Sequence, residues 1–309
     1  NDLLNTLPTM FGFVPEESII GVTVFGASSR CGFRLRHDLP EEGYEADLAQ
    51  ALAHHLVRNG GDGYLVISIS ADANCAKHMA LALRDALPTG SCQLVLWASA
   101  GQAWIDGQSA EPVNYELTAD HEARVRAVLG GQVILESRGE LVNEVSRGET
   151  DSTAHLDRLC DEVVAERVAS ARGQSPQQFQ TSDTQLALAL IEKSTGATAL
   201  TDRELIELAI LASDVRVRDE LWVRISGSNA RQLHQLWAAA SRLVRPELSI
   251  AALCLTGFCA WQAGDGARAL VAVDRARELD PQYSMAKVLS QVLLLGINPD
   301  SWAPNTLTA

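Results

Sequence analysis

With 309 residues, 47% of them hydrophobic, the chain can bury a core and is long enough for two domains, which excludes disorder as its main state. Its formal charge of −14 is uneven, because residues 1–150 carry 20 acidic and 10 basic side chains while residues 151–309 carry 19 and 15. Lys and Arg hold nucleic acid and anionic lipid by displacing counterions from phosphates, so a surface this acidic argues against nucleic-acid and membrane partners.

The opening joins a Pro- and Gly-punctuated segment to the β-forming run Ser18–Phe25, which stops at Gly26. After a turn at Ser28 and Ser29, alternation over Cys31–Leu35 predicts a second strand, and the two make a hairpin. Leu48, Ala49, Leu52, Leu56 and Val57 fall at helical spacing in Glu45–Arg58, and Asn59-Gly60-Gly61 stops that helix. Tyr64–Ser70 alternates as a strand, and Ala76–Leu87 is a helix ended by Pro88. Gln93–Trp97 is the next strand, and Gln102–Ile105 returns to the Asp106-Gly107 turn. His121–Leu129 reads as a helix and Gln132–Glu136 as a last short strand. Strands alternating with helices at this spacing predict βαβ units, hence an α/β fold of three layers whose largely parallel sheet carries an N-terminal hairpin.

From Asp151 onward every segment follows the helical period, so an α/β domain over 1–150 and an all-helical domain over 151–309 are expected. Leu156, Leu159, Cys160, Val163, Val164 and Val168 line one face of a long helix, and Gly173–Gln180, with Pro176, reads as a linker. Thr201 and Glu204 form a capping box, and further helices are expected near 214–225, 230–245, 247–263, 266–279 and 284–295. Residues 255–281, LTGFCAWQAGDGARALVAVDRARELDP, resemble one tetratricopeptide unit, with small residues or Pro at Gly257, Ala269, Ala276 and Pro281. In such a hairpin Arg268 and Arg275 would face outward, towards a partner.

The chemistry-bearing patterns are sparse. No glycine precedes Lys-Ser or Lys-Thr as a Walker A loop requires, and Gly60-Gly61-Asp62-Gly63 leads into a strand, whereas phosphate-cradling loops open a helix. The nucleophile-elbow pattern G-x-S-x-G is absent. His54 and His55 are adjacent and point about 100° apart on a helix, and the other histidines lack ligand spacing, so neither metal nor cofactor is expected. Six cysteines sit singly in apolar stretches and read as reduced thiols, which favours the cytoplasm; no apolar run is long enough to span a membrane. What remains is topological. Ligands of doubly wound sheets settle beyond the carboxyl ends of the strands, where this chain would place Asp38, Ser68, Ser70, Asp72, Asn74 and Ser99. The same Ser70, Asp72 and Asn74 also read as helix caps. Pro15, Glu16 and Ser18, preceding the first strand, are expected at the opposite edge.

Leu3, Leu4, Gly12, Phe13, Pro15, Glu16 and Ser18, the FRLRHDLP segment around Arg36, Asp38 and Pro40, and VILESRGEL with Ser137, Arg138 and Leu141 recur in order and spacing. In these the chain resembles an actinobacterial family called domain of unknown function 4192. The resemblance implies the α/β-plus-helical plan and assigns no activity. Many relatives carry a cysteine cluster after the aromatic strand, but here the chain reads Trp104-Ile105-Asp106-Gly107-Gln108, so no metal role carries over. The expected function is a non-catalytic interaction or regulatory protein whose helical half binds a protein partner or a second copy. The alternative is an enzyme or small-ligand sensor at the strand ends.

Overall fold

The computed structural model describes residues 2–26, 29–108, 111–148, 153–196 and 199–302. The chain divides into two compact units, Asn1–Arg138 and Gly139–Ala309. The junction expected at residue 150 lies among residues 149–152, outside the described ones.

The first unit opens with a helix, α1 (Asp2–Phe11), where the sequence suggested only a punctuated segment. Leu4, Leu7, Pro8 and Phe11 are buried on one side of it, and Gly12, at φ 76°, closes it with a bond from its amide to the Pro8 carbonyl at 2.9 Å. Then come β1 (Ser18–Phe25), β2 (Arg30–Asp38), α2 (Glu45–Arg58), β3 (Gly63–Ile69) and α3 (Ala73–Ala86). They are followed by β4 (Cys92–Ser99), β5 (Gln102–Ile105), β6 (Val113–Asn114) and α4 (Glu122–Leu129). The expected strand at Gln132–Glu136 shrinks to one bridge, in which Leu135 lies beside Phe13.

The six strands run in the order β2-β1-β3-β4-β5-β6, and only β3 and β4 are parallel neighbours. A largely parallel sheet is therefore not formed. The reason is physical: β2, β3 and β4 do share one direction, as helix crossovers require, but β1 lies between β2 and β3 and runs against both. Periodicity reveals a crossover, not which strand slips into the gap it spans. Both crossover helices pack on the same face, where Ala49, Leu52 and Leu56 of α2 and Ala76, Met79, Ala80 and Leu83 of α3 meet Ile19, Val66, Val95 and Trp97. Gly21 allows this approach, since a Cβ there would lie 2.6 Å from a methyl of Leu56. The other face, with Ile20, Val22, Val24, Ile67, Leu96 and Ala98, is buried as well.

The second unit is helical, with α5 (Arg138–Val145), α6 (Thr153–Ala171), α7 (Pro176–Thr195), α8 (Asp202–Ala212) and α9 (Val215–Trp222). It continues with α10 (Ala230–Leu243), α11 (Pro246–Gln262), α12 (Gly266–Leu279) and α13 (Ser284–Leu294). The expected linker at Gly173–Gln180 is mostly the first turn and a half of α7. Ser175 and Gln178 form a capping box, and Pro176 occupies the position where its missing N–H costs nothing. The capping box at Thr201 and Glu204 is present, with the Glu204 carboxyl held at a pKa of about 2, first by Lys193 and then by the Thr201 amide.

Every residue of α11 from Ala251 to Trp261 is buried, and α8, α10, α12 and α13 surround it. An all-apolar helix belongs at the centre of a bundle. The tetratricopeptide-like reading is not supported, because an enclosed helix offers no open concave face; what stands is a helical hairpin of α11 and α12. Its close crossing is at Gly257, where a Cβ would lie 2.7 Å from Val273 Cγ2 and 3.1 Å from the Ala269 carbonyl oxygen. Gly257→Leu should therefore cost about 1 to 3 kcal/mol by overpacking, a loss read directly as a lower urea midpoint at unchanged m-value. An unshifted midpoint would show that the crossing can open freely.

Candidate functional site

Because β1 runs against its neighbours, its first residue lies at the same edge as the last residues of β2 and β3. Ser18 pairs with Asp38 on one side and Ile69 on the other, and Ile69 pairs with Ala98 of β4. The expectation that Pro15, Glu16 and Ser18 lie at the opposite edge is thus overturned by strand direction. The edge expected for ligands is shared with the start of β1.

That start fills the edge. Glu17, at φ 38°, turns its carboxylate onto the turn between β3 and α3, accepting Ser70 Oγ at 2.8 Å and the Ala71 amide at 2.6 Å. Ser70 Oγ accepts the Asp72 amide at 3.1 Å, so it is engaged both as donor and as acceptor, and Ser70 is buried. Asp72 is the N-cap of α3; its Oδ1 accepts the Asn74 amide at 2.8 Å and the Cys75 amide at 3.4 Å. Ser99 Oγ donates to the Ala71 carbonyl at 2.9 Å.

Ser70, Asp72, Asn74 and Ser99 are thus brought together, Asn74 through its backbone. Asp38 stands two strands from β3, about 10 Å away at the usual strand spacing, in a different network. It pairs with Arg36 at 2.6 Å, and Arg36 donates also to Ser18 Oγ at 2.8 Å and the Glu16 carbonyl at 3.2 Å, while its guanidinium lies over the Phe13 ring. Burial, opposed by Asp38 and reinforced by the nearby Arg138, lowers the Arg36 pKa. Ser68 lies one pleat inside the edge on the helix-covered face; it is fully buried, and its Oγ has no hydrogen-bond partner among the described residues. Sequence reasoning missed Glu17. The only signal for it was the acidic pair before a strand whose direction had not been fixed.

Apart from Ser68, most of the polar side chains at this edge are bonded to one another or to nearby backbone groups. Burial first, then the Glu17 and Asp72 carboxylates, push the Cys75 thiol above its ordinary pKa, so it stays protonated near neutrality and is a poor nucleophile. Among the described residues no three His, Cys, Asp or Glu side chains gather as a metal-holding group.

A family model described as Domain of unknown function (DUF4192) matches residues 1–300. The chain belongs to the DUF4192 family. Comparison with curated proteins and with solved structures finds no match. In this DUF4192 chain the family-like positions Glu16, Ser18, Arg36 and Asp38, far apart in sequence, form one bonded cluster at the sheet edge.

A second cluster of ionisable groups lies within the helical unit. Arg268, expected to face outward, is instead largely buried, donating to Glu144 of α5 at 2.8 and 3.1 Å and to Asp265 at 2.8 Å. Burial works against its charge, but the bonds to Glu144 and Asp265 outweigh it and hold its pKa above the ordinary value. Arg275 is half-exposed and pairs with Glu278 at 2.9 Å. Beside Arg268 stands His234 of α10, whose Nε2 is buried without a partner among the described residues. Burial, then the Arg268 charge, lowers its pKa, against weaker opposite pulls from Asp265 and Glu144.

Two outcomes follow from these contacts. Glu17→Ala should cost about 1 to 2 kcal/mol through the lost charge-assisted bonds. Glu17→Gly should cost less, since glycine holds a positive φ without strain; equal midpoints for all three proteins would show that the carboxylate carries no stability. For His234 the unfolded chain takes up a proton below about pH 6.5 while the folded one resists. Its contribution is therefore intact above that pH and lost as pH falls, with a slope of at most about 1.4 kcal/mol per pH unit. His234→Gln should flatten the pH 7.5 to 5.5 dependence of the urea midpoint, and an unchanged slope would assign it to other groups.

Proposed function

We propose that this chain is a non-catalytic interaction or regulatory protein whose helical unit binds a protein partner or a second copy. The observation that carries the reading is the occupation of the sheet edge by Glu17: Ser70 Oγ and the Ala71 amide, the groups best placed to receive a small anionic ligand, already hold a carboxylate of the chain itself. In the helical unit, by contrast, α13 keeps Val288 and Leu294 at 48% and 62% exposure, two apolar side chains open to contact with a partner. The six thiols, all unpaired, support a reducing compartment, and the same reading places the protein in the cytoplasm of an actinobacterium, with no nucleic-acid or membrane partner. No helix among the described residues is long and apolar enough to cross a membrane.

One observation favours the second reading, a small-ligand sensor or enzyme at the strand ends. The buried Ser68 Oγ lacks a partner just inside the edge, and such a group is commonly met by water or by a polar ligand atom.

The two readings separate in one experiment. The paired substitution Val288→Ser and Leu294→Ser changes exposed positions, so stability should move by no more than about 0.5 kcal/mol. Association, followed by sedimentation and by cross-linking from a photoreactive residue placed at position 291, should weaken at least tenfold. Unchanged association removes the helical surface, and native mass spectrometry that shows a co-purifying small molecule released by Ser68→Ala would favour the second reading.

A further inference from the structure

We propose that the free edge of β2 is a docking strip for an extended acidic segment of another protein, which joins the sheet as an additional strand. The sheet has two edges of unequal kind. The β6 edge is two residues long, too short to template pairing, whereas β2 runs for nine residues. Apart from its ladder to β1, β2 makes no backbone-to-backbone bond among the described residues, so its outward amides and carbonyls face solvent. Its register is straight from Arg34 to Asp38, and the irregularity opposite Val22 and Val24 is confined to the other end.

Charge selects the partner. Residues 1–138 hold 17 acidic and 9 basic side chains, and three of the nine, Arg30, Arg34 and Arg36, lie in this one strand. Arg36 is spent on Asp38, Ser18 and Glu16. Arg30 and Arg34 are exposed and form no ion pair with the described residues, in a unit with an excess of carboxylates. Arginine on an edge strand discourages pairing of identical edges, because a second copy would set like charges across from each other. The same row welcomes a strand that brings carboxylates, for which guanidinium offers paired donors. Main-chain bonds would supply affinity and the two arginines the preference for acidic sequence. A nucleic acid would meet the surrounding negative charge.

The test uses the full chain and a fluorescein-labelled nonapeptide of alternating glutamate and valine, read by anisotropy. The peptide should bind saturably, at least tenfold more weakly when lysine replaces glutamate, and at least tenfold more weakly to the Arg30→Glu, Arg34→Glu protein, whose melting is checked to be unchanged. Two further peptides carry N-methyl groups on either the glutamate or the valine amides. Only alternate amides face a neighbouring strand, so one of the two should bind at least tenfold more weakly than the other. Amide exchange should slow in residues 30–38 on binding. The proposal is overturned by absence of saturable binding, by equal binding of the two methylated peptides, by protection confined to other residues, or by tighter binding of a single-stranded oligonucleotide.

Discussion

The direction of one strand governs the character of the first unit. β1 enters between β2 and β3 and opposes both, so the residues that precede it arrive where three other strands end. Had β1 run parallel, Glu17 and Ser18 would lie at the far edge, leaving the amides of the β3–α3 turn open to an anion, as in nucleotide-binding folds. Instead the Glu17 carboxylate occupies that turn, while the neighbouring Ser18 accepts a hydrogen bond from Arg36 of β2 in a separate cluster. The cost is a non-glycine residue at φ 38°, of the order of 1 kcal/mol or more, offset by two charge-assisted hydrogen bonds.

Local pattern was legible and neighbourhood was not. Glu45–Arg58, Gln102–Ile105 and Gly266–Leu279 declare themselves through spacing, turn glycines and caps, all of which act within a few residues. Nothing local says that β1 separates β2 from β3, because hairpin and crossover each fix direction while adjacency depends on packing across the sheet. The site shared this fate. Ser70, Asp72, Asn74 and Ser99 were identifiable as strand-end polar groups, yet Glu17, the partner of Ser70 53 residues before it, was not. Pro176 shows a different failure, since the same residue opens helices and breaks them, and Ser175 with Gln178 decided for the helix.

The helical unit is organised by α11, and its enclosure explains both the tetratricopeptide-like sequence and why the likeness ends there. Small residues at Gly257, Ala269 and Ala276 let helices cross closely whatever the larger architecture. The charge of Arg268 is likewise turned inward, to Glu144 and Asp265. In both units most of the ionisable groups described above are bonded to one another, while Ser68 Oγ and His234 Nε2 are buried without a partner among the described residues.

The central claim is that Glu17 is the internal occupant of the β3–α3 turn, and the Ala71 amide reports on it most directly. In protein labelled with nitrogen-15 at alanine, the Ala71 amide proton should shift in Glu17→Gln by more than any other alanine amide. An Ala71 resonance that is identical in the two proteins would contradict the account and return the strand ends to consideration as an open ligand site.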